Sequence, residues 1–509
     1  MSSPLRISAG ALTLPELRRI WRAPTQFVLD EQARRELEAG AEAVRELLAS
    51  GQVVYGINTG FGLLANTRVD AERLDLLQEK LVLSHSCGVG EPLDPAVVRL
   101  IVAMKMASLA RGFSGVRIEL VEALAALEAH GIEPLIPAQG SVGASGDLAP
   151  LAHLAAALIG VGKVRFRGER VDAAEAWRSV DRPPLRLGPK EGLALLNGTQ
   201  ASTALALDGL FRAERLFEAA LCAGCLSVEA LKGSRTPFDA RIHDARGQPG
   251  QIDVARMARA LLGESEIQHS HASCDKVQDP YSIRCQPQVM GACLDLMRQA
   301  TRTLLIEANA VTDNPLVFPE DGEALSGGNF HAEPVAFAAD MLTNAVCEVG
   351  ALSERRTAIL VDPKMSGLPP FLVEDSGVNS GFMMAQVTAA ALVSENRTLA
   401  HPASIDSIPT SANQEDHVSM ATFGARRSAR LAENAARVVA IELLAAAQAV
   451  EFHRPLRSSP ALEEVLIKVR KAVPAWEADR FFAPDLEEAF FLVRDGVFSE
   501  LVPELLETS

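Results

Sequence analysis

The sequence predicts a mainly α protein, a central bundle of long helices with a smaller α-rich N-terminal domain that carries a mobile glycine-rich loop. Three observations predict it. Long Ala- and Leu-rich segments recur at about 198–231, 286–312, 333–361, 380–400 and 416–452, with no internal proline beyond Pro287 and Pro334 in first turns. Several of them exceed the usual length of a globular helix, and such helices pack best against one another. Strand signal is weak everywhere except Lys163 to Val171, which alternates around a glycine turn as a small hairpin. With 509 residues, 48% of them hydrophobic, the chain can bury a large core without disulfide staples.

From the N-terminus, Thr13 followed by Leu14-Pro15 reads as a helix start, because proline costs little where its missing N–H has no partner. Asp30 caps a charged helix running to about Ser50. Val53-Val54-Tyr55 then enters Gly56-Ile57-Asn58-Thr59-Gly60-Phe61-Gly62, whose glycines permit hinge-like motion. Asp94-Pro95 starts a further helix that Gly112 ends. These features place an N-terminal domain at 1–110 and the bundle, with a C-terminal helical extension, at 111–509.

Composition excludes several functions. The net charge of −16 repels phosphate backbones, so nucleic acid is not the expected partner. Seven scattered cysteines and no apolar leader in MSSPLRISAG predict reduced thiols and a cytoplasmic address. The most apolar stretch, Leu148 to Gly162, is too short to span a bilayer, so a soluble protein without membrane contact is expected. Phenylalanine occurs 19 times but tyrosine only twice, as Tyr55 and Tyr281.

Chemistry concentrates in the loops between the long helices, where GSVGASGDLAP, LLNGTQAS, KVQDPYSIRCQPQ, SGGNFHAEP and PTSANQEDH crowd polar groups, glycine and proline. The first of these permits three readings. It is a linker ending in an Asp147-capped helix, or a nucleophilic serine, although Asp147 stands where the nucleophile elbow needs its second glycine. In the third, the unhindered Gly146 nitrogen closes onto the Ala144 carbonyl and Ser145 loses water, which makes an electrophile from backbone alone.

The segment GSVGASGDLAPLAH resembles the prosthetic-group segment of the aromatic amino acid ammonia-lyases, in particular their histidine-deaminating branch. The likeness continues through YGINTGFGLL, LVLSHSCGVGEPLD, LALLNGTQAS, KVQDPYSIRCQPQVMGA, EANAVTDNPLVF, SGGNFHAEPVA and PTSANQEDHVSM, from Tyr55 to Met420. It implies that Ala144, Ser145 and Gly146 cyclise to 4-methylidene-imidazol-5-one (MIO), with no external organic cofactor and no metal. The implied reaction is deamination of L-histidine to trans-urocanate and ammonia. By position, Tyr55 is then the general base, and Asn197 and Tyr281 hold the MIO and the amino group. Arg284 clamps the substrate carboxylate beside Gln278, Phe330 packs on the substrate, and His85 and Glu415 address its imidazole. A homotetramer with active sites shared between subunits is implied as well.

Within the family, Ser84-His85 and Glu415 favour histidine over a tyrosine or phenylalanine ammonia-lyase or an aminomutase. A phenyl ring would leave the Glu415 carboxylate desolvated and unpaired, whereas an imidazole offers ring nitrogens. Ser86-Cys87 departs from the small residues expected after His85. A fumarase-type lyase is disfavoured because its Gly-Ser-Ser-x-x-Met-Pro-x-Lys loop is absent. His269-x-His271-x-x-Cys274 could supply three metal ligands but lacks a fourth at useful spacing. Cys222 and Cys225 read as helix-packing residues; Asp406, Asp416 and His417 could form an acid–base cluster, but solvated loop polarity accounts for them equally well.

Overall fold

The computed structural model describes residues 4–51, 54, 56–59, 69–271, 277–502 and 505–506. Tyr55, the loop residues Gly60, Phe61 and Gly62, and Cys274 lie outside the described residues. The fold is mainly α, as expected, with several small sheets of two or three strands.

The local signals act as the sequence reading requires. Thr13 forms a full capping box with Glu16 over helix Leu14–Arg22. Asp30 accepts the Ala33 N–H at 2.7 Å and opens helix Glu31–Ala49, while Asp94 accepts from Ala96 at 2.8 Å and opens Pro95–Leu109. The five long segments become helices Gln200–Ala230, Gln286–Ala308, Glu333–Val361, Met383–Leu399 and Ala421–Glu451. The Lys163–Val171 hairpin forms as strands Lys163–Phe166 and Glu169–Asp172. A third strand, Ile132–Pro134, joins it on the Lys163–Phe166 side.

The chain divides into two compact units. The first comprises Met1–Asp208, Arg302–Asp340 and Pro402–Arg426. At its heart runs helix Pro95–Leu109, in which every residue from Leu100 onward is buried. Such a helix is apolar on all sides because it has no solvent face. Two polar exceptions, Lys105 and Ser108, are as buried as their neighbours. A second polar group in this core is the ion pair between Lys190 and Asp313, 2.9 Å apart and at most 2% exposed. The Ser114 hydroxyl donates to the same carboxylate, and the Lys190 ammonium to the Ser114 carbonyl.

The second unit comprises Gly209–Thr301, Met341–His401 and Arg427–Ser509. It is built from the larger parts of four of the long helices, together with Pro249–Leu262, Met383–Leu399, Pro460–Ala472 and Ala483–Arg494. Alanines such as Ala219, Ala220, Ala440 and Ala445 to Ala447 are buried here, and their small side chains let helix backbones approach closely. Arg356 and Glu442, both fully buried, pair through two hydrogen bonds, and Ser227 donates a third to the same carboxylate. Cys222 and Cys225 pack inside helix Gln200–Ala230, where burial pushes the Cys222 thiol up to about 12. Helix Glu333–Val361 is long and apolar enough to cross a bilayer, yet 61% of its most apolar window is buried within the fold.

Candidate active site

The Ala144-Ser145-Gly146 segment lies in a loop of the first unit, just before helix Leu148–Leu158. Two glycines fix its path. Gly146 sits at φ +75°, and its backbone bridges that of Gly198 so closely that an added Cβ would come within 2.3 Å of the Gly198 carbonyl oxygen. Only glycine fits there, on both conformational and steric grounds. The neighbouring Asp147 N–H donates to the Gly198 carbonyl at 2.7 Å.

Asp147 stands at the N-terminus of helix Leu148–Leu158 but makes no side-chain cap hydrogen bond. Its fully buried carboxylate instead accepts from the Ser202 N–H and hydroxyl, from Ser141 and from Thr422, at 2.7–2.9 Å. The two ends of the loop are thereby tied to elements distant in sequence. The cap reading therefore gives way to a strut between three chain segments.

The loop opens onto a cavity of about 1730 Å³. Of the expected site residues, His85, Ala144, Ser145, Asn197, Phe330 and Glu415 all line it, and all belong to the first unit. The Asn197 carboxamide donates to the Ser145 carbonyl at 2.6 Å, and the Ser145 hydroxyl donates to Glu415 Oε1. Glu415 Oε2 accepts from Thr410 at 2.6 Å and Ser411 at 2.9 Å. Burial pulls the Glu415 carboxyl upward, but the hydrogen bonds from Ser145, Thr410 and Ser411 outweigh it and leave the pKa below its ordinary value. It is therefore a carboxylate, an acceptor, at neutral pH.

His85 closes helix Leu74–His85 with Nδ1 2.9 Å from the Leu81 carbonyl. A carbonyl only accepts, so the proton of neutral His85 sits on Nδ1 and leaves Nε2 as an acceptor. Two further histidines, His331 and His417, also line the cavity. Their rings stack at 5.8 Å, and His331 Nε2 donates to the His417 carbonyl at 3.1 Å. That contact joins the loop carrying Phe330 to the loop carrying Glu415. Asp416 and His417, both exposed, line the cavity as well.

Tyr281, Arg284 and Gln278 are placed differently. They lie in the second unit, do not line the cavity, and Tyr281 is 76% exposed at the start of the short helix Tyr281–Arg284. Near them, His271 Nδ1 meets the Ile267 carbonyl at 2.8 Å and His269 lies 3.3 Å from Glu264. Among the described residues no three His, Cys, Asp or Glu side chains gather as a metal site. Sequence reasoning passed over Lys105, Thr410 and Ser411, whose roles depend on partners far away in the chain or on a tight loop.

A model of the aromatic amino acid lyases matches residues 12–471. The chain belongs to the aromatic amino acid lyase family. Among curated relatives in this family, the histidine ammonia-lyase of Burkholderia cenocepacia (strain HI2424) is 60% identical over 499 residues, 98% of each chain. Among solved structures, the histidine ammonia-lyase of Trypanosoma cruzi is 41% identical with a TM-score of 0.91, covering 98% of this chain and 94% of its own. Tyrosine aminomutase from Streptomyces globisporus is 37% identical with a TM-score of 0.93, covering 98% of both. Members of the aromatic amino acid lyase family with different substrates thus share this fold, so the fold alone does not set the substrate.

Proposed function

We propose that the protein is a histidine ammonia-lyase that eliminates ammonia from L-histidine to give trans-urocanate. The observation that carries the reading is the setting of Ala144-Ser145-Gly146, with the Ser145 carbonyl held by Asn197 and its hydroxyl on Glu415 at the cavity wall. The compressed backbone at Gly146 suits closure of its nitrogen onto the Ala144 carbonyl carbon, with loss of one water. Ser145 loses a second water across Cα and Cβ, which completes the MIO. Once formed, this group supplies an electrophile that makes the substrate's nitrogen a better leaving group without a pyridoxal cofactor.

The chain's own residues then bind and orient. Dehydration removes the Ser145 hydroxyl, so Glu415 Oε1 gives up that partner while Oε2 stays anchored by Thr410 and Ser411. A fixed carboxylate with one free oxygen, facing the same cavity as the His85 Nε2 acceptor, suits a ring bearing N–H groups. A phenyl ring would leave that carboxylate unsatisfied, at a desolvation cost of roughly 1–3 kcal/mol or more. Phe330 supplies an apolar wall in the same cavity.

Tyr55 is assigned as the base for the β-hydrogen, with an unperturbed phenol pKa of ~10. Arg284 is assigned to the substrate carboxylate, which its planar fork matches bidentately, with Gln278 and Tyr281 beside it. The exposure of Gln278 and Tyr281, with Arg284 half-buried beside them on the second unit, fits a homotetramer in which a neighbouring copy completes each site. Large exposed apolar side chains such as Ile306, Val378 and Met384 support burial against such copies.

The test is direct. Purified protein incubated with L-histidine should accumulate urocanate, read by its ultraviolet absorbance, and its intact mass should fall short of the sequence mass by two waters. Turnover of tyrosine in place of histidine would refute the assignment of His85 and Glu415.

A further inference from the structure

Lys105 is one of the largest fully buried side chains in the protein, at 1% exposure within the core helix Pro95–Leu109. An ammonium is costly to keep in such surroundings. Its two hydrogen bonds run to main-chain carbonyls rather than to a carboxylate. Nζ donates to the Asn197 carbonyl at 2.8 Å and to the Ala194 carbonyl at 3.1 Å. Both acceptors lie at the C-terminal end of the short helix Glu191–Leu196 and just beyond it, where carbonyls lack helical partners. Burial lowers the amine to about 7, against the opposing pull of Asp313 and Asp147. A neutral amine still has two N–H donors, one for each carbonyl, so this clamp holds in either protonation state.

Asn197 is the link between this clamp and the reacting segment. Its backbone carbonyl is held by Lys105, its side chain holds the Ser145 carbonyl at 2.6 Å, and the next carbonyl, of Gly198, is held by the Asp147 N–H at 2.7 Å. The strip Asn197-Gly198 against which Ala144–Gly146 is pressed is therefore anchored on one side by the loop and on the other by the core helix. Remove the anchor in the core, and the carboxamide of Asn197 loses its fixed seat.

We propose that Lys105 is a positioning residue for the lyase reaction. It acts through Asn197, fixing the carboxamide that holds the Ser145 carbonyl while the ring closes and afterwards during turnover. The proposal rests on the MIO reading above. A lysine that merely fills the core would affect stability alone.

The experiment uses the full-length protein, Lys105→Met, Lys105→Arg, Asn197→Ala and the double variant Lys105→Met/Asn197→Ala. Intact mass, thermal unfolding, kcat and KM for L-histidine are measured on each. The expected result is incomplete loss of the two waters in K105M, with kcat lower by ~10²-fold and KM within about threefold, as for a misplaced catalytic group. K105R, which keeps donors for both carbonyls, should recover kcat to within about tenfold of the parent. In the N197A background K105M should change kcat by less than about twofold, because residues acting through one another are not additive. Complete water loss and parental kcat in K105M, whatever its melting temperature, would overturn the proposal. So would an equal drop in the presence and absence of Asn197. Should K105M not fold, Lys105→Gln, with a neutral donor of shorter reach, replaces it in the same cycle with the same outcomes. The parent protein keeps the two readings apart, since absence of water loss or of histidine turnover there sinks the functional assignment and not Lys105 alone.

Discussion

Gly146→Ala adds one methyl group at the tightest backbone crossing of the site. The new Cβ would stand 2.3 Å from the Gly198 oxygen, 2.5 Å from its nitrogen and 2.7 Å from its carbonyl carbon, all main-chain atoms that cannot rotate away. The φ of +75° adds a left-handed penalty of about 1–2 kcal/mol for an L-residue. Relief requires the two strands of backbone to part by roughly 1 Å, which sacrifices the Asp147 to Gly198 hydrogen bond at about 0.5–1.5 kcal/mol net. The sum, about 1.5–3.5 kcal/mol, falls short of typical global stability of about 5–15 kcal/mol. The variant should therefore fold, with its loop displaced from the seat that cyclisation needs. Gly131→Ala is the matched control. It sits at φ +64° beyond helix Ile118–His130, with nothing within 4 Å of an added Cβ. It should cost only the conformational penalty of about 1–2 kcal/mol. Urea unfolding gives the two stabilities, and intact mass gives the extent of water loss. Gly146→Ala should retain both waters while Gly131→Ala loses them. Full water loss in Gly146→Ala would refute the reasoning from backbone compression.

Four further outcomes are expected. Glu415→Gln should cut kcat for histidine by at least ~10²-fold, a far larger effect than its loss of stability at neutral pH, measured by urocanate formation and calorimetry. With the Ser145 hydroxyl in place the Glu415 pKa lies below its ordinary value of 4.5, so in that uncyclised form its stabilising contribution is whole above that pH and is lost as pH falls through the depressed value; the glutamine variant should lack this acid limb in pH-dependent unfolding. Lys190→Met strands the Asp313 carboxylate in the core and should cost about 3–5 kcal/mol in urea unfolding. Asp172→Asn, which breaks only the exposed Lys163 pair, should cost less than ~1 kcal/mol. Tyr55→Phe and Tyr281→Phe should each keep the far-ultraviolet dichroism of the parent and lose ~10²–10⁴-fold in kcat.

What the sequence made legible follows the range of the forces involved. Helix starts at Leu14, Glu31 and Pro95 depend on capping groups one to three residues away, and all three were readable. Long helices were readable from uninterrupted strong formers, but their ends were not. The segment 416–420 fits the helical pattern, yet it stays outside helix Ala421–Glu451 because Ser407 takes the Val418 N–H and Val142 takes that of Met420. Strands of three residues, such as Ile132–Pro134, are too short to display an alternating pattern.

The candidate site divides along the same line. Six expected residues meet at one cavity because their motifs carry enough chemistry to be recognised singly. The supports beneath them were hidden. Lys105 lies 89 and 92 residues from the carbonyls it holds, and in an apolar stretch a lone lysine reads as a solvent-facing interruption. Asp147 looks like a helix cap, and nothing nearby reveals that Ser202 and Thr422, 55 and 275 residues away, occupy its carboxylate instead. Thr410 and Ser411 were ordinary loop residues until the turn folded them back on Glu415.

The central claim is that Ala144, Ser145 and Gly146 make the electrophile from the chain itself. Intact mass spectrometry of the purified protein beside its Ser145→Ala variant tests it most directly. The account predicts a parent lighter than its sequence mass by two waters and a variant without that deficit and without histidine turnover. An active parent at its full, unmodified mass would contradict it.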